Sequence, residues 1–130
     1  MKLATLSRGL LVFGFVLTIA HAAEPMMGWK SLRAAIYLIH GGSLADRQLP
    51  TTKDSKLSIV FDGQSAKEVF ASIGPDLPAT CSLEKGDRAR SKKGLTCSFI
   101  EQDKGTKEGP YRCWIGIDLK TGDSVRTVSC

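Results

Sequence analysis

CSLEKGDRARSKKGLTCSFIEQDKGTKEGPYRCWIGIDLKTGDSVRTVSC, residues 81–130, holds all four cysteines of the 130-residue chain. They stand at Cys81, Cys97, Cys113 and Cys130, with gaps of 16, 16 and 17 residues. Tyr111, Cys113, Ile115, Ile117 and Leu119 alternate with Arg112, Trp114, Gly116 and Asp118, which marks a strand with one buried face. Leu95, Cys97 and Phe99 alternate with Thr96 and Ser98 in the same way. Residues 79–83 read as a further strand, and a turn at Thr121-Gly122 leads into residues 124–130. The block predicts an antiparallel meander with the 111–119 strand at its centre.

Working outward, Ser65-Ala66-Lys67-Glu68 has the form of a capping box. Ala66, Val69, Phe70 and Ile73 follow at helical spacing, and Gly74-Pro75 ends the pattern. So short a helix is marginal alone and needs a sheet to pack on. Residues 57–61 (LSIVF) read as a compact strand turned by Asp62-Gly63. Residues 43–56 read as a loop. Trp29, Leu32, Ile36 and Ile39 also fall at helical spacing, so a helix is favoured over residues 29–39, with a strand at 36–40 as the alternative. The expected fold is α+β: a small antiparallel β-meander sheet stapled by two disulfides and packed with one or two short helices.

Residues 1–22 read as a signal peptide. Lys2 and Arg8 precede an apolar run over residues 9–20, and Ala20-His21-Ala22 fits a small-x-small cleavage site. The run is shorter than the roughly 20 apolar residues of a spanning helix, so no stable membrane insertion is expected after cleavage. Residues 23–130 are then a single small secreted domain, periplasmic or outside the cell. Cleavage leaves 16 basic and 13 acidic residues, a formal charge of +3. That suits an acidic partner or an anionic envelope component, and it is far from the charge of a nucleic-acid arm.

An even cysteine count behind an export signal predicts two disulfides. A two-residue loop at Thr121-Gly122 would set Cys113 opposite Cys130, so 81–97 with 113–130 is favoured over 97–113 with 81–130. No C-x-x-C pair occurs and His40 is the one histidine beyond residue 22, so no metal and no cofactor is expected.

Catalytic machinery is sparse. Ser43 or Ser65, His40 and Asp46 can be drawn as a triad, but no G-x-S-x-G context supports it. The densest charge is Lys85, Arg88, Arg90, Lys92 and Lys93, with Asp87 as the one acid among them. It reads as a hairpin tip able to dock on an acidic groove; lacking interleaved aromatics, it is no single-strand nucleic-acid platform. Trp114 beside Arg112 is the second candidate contact, because exposed Trp and Arg are common binding anchors. The plan of signal peptide, disulfides and compact β-rich body is similar in type to small exported inhibitors of lysozymes and to periplasmic immunity proteins. No motif carries that likeness and no residue is transferred from it. The sequence therefore predicts a small exported protein acting by macromolecular contact, of inhibitor or immunity type. The alternative is a small hydrolase of an envelope polymer.

Overall fold

A computed structural model describes residues 28–32, 34–82 and 84–127. Residues 1–22, expected to be a signal peptide, lie outside the described residues, as do Leu83 and Cys130. The chain divides into two compact units, Met1–Lys30 and Ser31–Cys130. The second carries β1 (Ile36–Gly42), β2 (Arg47–Gln48), β3 (Lys56–Asp62), α1 (Gly63–Ser72), β4 (Arg88–Lys92), β5 (Leu95–Phe99), a 3-10 turn (Glu101–Gly105) and β6 (Tyr111–Asp118). The six strands form one sheet in the order β2-β1-β3-β6-β5-β4, with every neighbouring pair antiparallel.

β5 and β6 are neighbours as expected, but their meander is completed by β4 rather than by residues 79–83, and β6 then returns beside β3, far away in sequence. β6 is an interior strand, as its alternation predicts. Its inward residues Cys113 and Ile115 meet Phe61 and Ile59 of β3 on one side and Cys97 and Leu95 of β5 on the other. Directly opposed residues share a face of the sheet, so these six side chains form one apolar floor. α1 lays Ala66 and Phe70 on that floor, and both are buried, as are Phe61, Phe99, Cys97 and Cys113. Tyr111 closes one end, with its ring 5.4 Å from Phe70 and 5.1 Å from Phe99. Burying each phenylalanine contributes about 1.5–3 kcal/mol.

α1 starts earlier than the capping box implies. Its N-cap is Asp62, with no side-chain cap hydrogen bond, and Ser65 sits within the helix. Gly63 has φ 71°, so the chain turns from β3 directly into the helix through a conformation that favours glycine. The Asp62 carboxylate is engaged elsewhere, accepting from Arg112 Nε at 2.6 Å across the β3–β6 ladder. Glu68 accepts from the Gln64 side-chain amide at 3.0 Å.

Three further expectations need correction. Residues 36–39 belong to a strand rather than a helix, because Ile36 to Ile39 pair with Val60 to Leu57. No helix occurs among the described residues before α1. Residues 79–82 form no strand, and residues 43–56 are not wholly loop, since β2 pairs with Gly41 and Gly42.

The favoured cysteine pairing is also overturned. Cys97 is bonded to Cys113. The final turn is wider than a two-residue loop: Asp118 N–H donates to Asp123 O, and Ile117 bridges Ser124. The two-residue loop on which the favoured pairing rested is therefore not formed. Cys81 is disulfide-bonded as well. Disulfides belong to oxidising compartments, and among the described residues no helix is long and apolar enough to cross a membrane.

Candidate functional site

Only the end of the basic stretch forms a hairpin tip. Residues 88–92 are the edge strand β4, and the turn into β5 is Lys93-Gly94. Arg88 and Arg90 lie opposite Phe99 and Cys97, so both point to the helix face. Arg90 Nε donates to Asp76 at 2.6 Å, and its Nη1 donates to the Phe70 carbonyl at 2.8 Å, near the end of α1. Arg88 grips the same carboxylate at 2.7 and 3.2 Å. The two guanidinium carbons stand 5.2 and 4.3 Å from the centre of the Phe70 ring. Hydrogen bonds from Arg88 and then Arg90 hold the Asp76 carboxyl down at about 2, against an ordinary 3.8. Two of the five cations thus fasten the residue 70–77 segment to the sheet. Lys85, Lys92 and Lys93 make no ion pair among the described residues.

Trp114 points to the far face, opposite Thr96 and Val60. It lines a largely apolar cavity of about 320 Å³ with Ala89, Thr96, Ser98, Ile100 and the 80–82 segment, beside the disulfide-bonded Cys81. The Thr96 hydroxyl pairs with Ser91 at 3.1 Å, and the Thr80 hydroxyl donates to the Ser82 carbonyl at 2.6 Å. Asp87, at the rim, sits below its ordinary value because the Ser82 hydroxyl and the Glu101 amide donate to it. The Ser98 hydroxyl and Trp114 indole N–H make no hydrogen bond among the described residues. Arg112, opposite Ser98 on the same face, is half-exposed, and its ion pair with Asp62 raises its pKa. An apolar hollow with an indole wall and spare donors fits an apolar side chain that carries a polar atom.

His40 has partners that the sequence did not reveal. Its Nδ1–H donates to the Gly41 carbonyl at 3.1 Å, leaving Nε2 to accept from the Ser58 hydroxyl at 2.9 Å. This is the tautomer in which imidazole can take a serine proton. Both residues are only 3% exposed, so a substrate carbonyl cannot reach Ser58 in this conformation. Ser43 instead accepts from the Asp46 amide at 3.0 Å, and Ser65 lies on α1. Asp54 is ion-paired with Lys56 and accepts from the Gly42 amide at 2.7 Å; Lys56 first and then Gly42 lower its pKa. The side-chain partner of His40 is thus Ser58 rather than Ser43, Ser65 or Asp46. Ser58 is eighteen residues from His40, and no motif spacing marks it.

Among the described residues no group of three or more His, Cys, Asp or Glu side chains is placed to hold a metal ion. Comparison with protein-family models, with curated proteins and with solved structures found no match.

Proposed function

We propose that the protein is an exported, non-catalytic binding protein of inhibitor or immunity type, which holds a protein partner through the Trp114 cavity. One observation carries this reading: an open hollow of about 320 Å³ with an indole wall, on strands cross-linked by Cys97–Cys113. A rigid apolar pocket beside a half-exposed arginine has the composition of a binding anchor point. The partner supplies an apolar side chain to the hollow. Arg112 contacts its rim, and Lys85, Lys92 and Lys93 steer the approach of an acidic surface. Arg88 and Arg90 keep the strand in place rather than making contact. The protein acts in the periplasm or outside the cell after cleavage between Ala22 and Ala23. A second bridge, from Cys81 to Cys130, fastens the wall of the hollow.

Affinity capture from an envelope extract with the exported protein, followed by titration of the captured protein, tests this. Trp114→Ala and the cavity-filling Ser98→Phe should each weaken binding by tenfold or more, with unchanged far-ultraviolet circular dichroism. No stoichiometric protein partner, or a partner that binds both variants like wild type, rejects the reading. The hydrolase alternative rests on the His40–Ser58 hydrogen bond. Turnover of an envelope polymer, abolished by His40→Ala, would favour it.

A further inference from the structure

Among the described residues β1 is an open sheet edge over its first half. On one side Ile36 to His40 pair with β3; on the other, β2 reaches only Gly41 and Gly42. α1 packs over β3, β5 and β6 and does not cover β1. From Ile36 to Ile39 both faces of the strand are therefore exposed. Tyr37 is 74% and Ile39 45% exposed on the helix face, while Ile36 is 69% and Leu38 39% exposed on the far face. Residues 34–39 (AAIYLI) carry no charge, no proline and no glycine. Natural edges are normally blunted by a lysine, a proline or a bulge; this edge has none of them along its apolar run.

We propose that a second copy of this chain occupies that edge, joining two sheets through antiparallel β1–β1 pairing about a two-fold axis at Tyr37. The axis position follows from geometry. In a continuous antiparallel sheet, directly opposed residues share a face, so the two numbers of every pair must sum to an even value. The open run is bounded by Ala34, whose φ of 56° breaks the extended chain, and by β2 at Gly41. A two-fold at Tyr37 pairs Tyr37 with its own copy, Ile36 with Leu38, and Ala35 with Ile39. Ala34 of one copy then falls opposite His40 of the other, so each chain leaves the ladder just before the other copy's β2 would obstruct it. Every opposed pair from Ala35 to Ile39 is aliphatic or aromatic, and no like charges meet. Self-complementarity of this kind is what an isologous interface requires. It also favours a second copy over an unrelated strand.

This surface is separate from the Trp114 cavity, which spans β4, β5 and β6. The test is the mass of the exported protein in solution, by light scattering or sedimentation. Wild type should be a dimer. Tyr37→Lys sets like charges face to face at the axis and should weaken association by at least about tenfold; Tyr37→Glu should do the same. Mixing the two variants should restore a dimer, because each lysine then faces a glutamate. Tyr37 is well exposed, so both variants should fold, as circular dichroism can verify. A wild type that stays monomeric at its highest soluble concentration overturns the proposal. So does a dimer indifferent to Tyr37→Lys, or charge variants that do not reassociate when mixed. Trp114→Ala should leave the dimer intact, which keeps this result distinct from that for the partner site.

Discussion

Cys97 and Cys113 stand directly opposite each other in the β5–β6 ladder, both fully buried, and their disulfide joins the two strands beneath Ala66 of α1. The bond lies inside the apolar floor rather than at a hairpin end.

Removing that bond by Cys97→Ala with Cys113→Ala should cost about 2–4 kcal/mol, the usual range for a loop of this length. Urea denaturation measures it. Non-reducing peptide mapping should return a Cys97–Cys113 peptide. A 113–130 peptide in its place would refute the register described above.

The Asp76 carboxyl should titrate near 2 rather than near 3.8 when followed by carbon-detected NMR. The folded-state value is depressed, so the ion pairs with Arg88 and Arg90 contribute fully above the ordinary carboxylate range. Their contribution is lost as pH falls from about 3.8 through about 2. Arg90→Ala should lower the denaturation midpoint more than Arg88→Ala, because Arg90 also holds the Phe70 carbonyl and lies closer over the Phe70 ring. Equal effects would mean that the carboxylate alone matters.

Ser58→Ala leaves His40 Nε2 buried without its partner and should destabilise the fold by about 1–3 kcal/mol. Thermal unfolding checks this. An unchanged midpoint would mean that water replaces the hydroxyl at the ring.

Gly116→Ala should loosen the residue 124–127 segment. An added Cβ would fall 2.4 Å from the Val125 carbonyl oxygen and 2.5 Å from Thr127 Cγ2. Hydrogen exchange at Val125, whose amide donates to Gly116 O at 3.0 Å, should rise well before the sheet unfolds.

Where one face is buried and the other is not, the sequence displayed the structure: β5 and β6 show it by alternation, and α1 by the Ala66, Val69, Phe70 and Ile73 stripe. β1 was obscured because its exposed residues fall by coincidence at helical spacing with Trp29 and Leu32. Only pairing with β3 decides its conformation, and that information lies twenty residues away. The basic run was visible as charge. Charge alone could not reveal that Asp76 and Phe70 fold back onto Arg88 and Arg90. The cysteine pairing depended on one turn length, and the actual turn displaces the register. The Trp114 cavity is built from three strands and a loop, so no contiguous motif could announce it.

β6 sits between β3 and β5, so among the described strands it alone pairs with both the β2-β1-β3 and the β5-β4 halves of the sheet. Its ladder with β3 pairs Asp62 with Arg112, across fifty residues. Closing so long a loop must precede any return from the contacts, which slows folding. Without residues 111–118 the chain has a three-strand set, β2-β1-β3, separate from the β5-β4 pair, and no shared floor for α1. A chain cut before Tyr111 therefore lacks the strand that both halves of the sheet and α1 pack against.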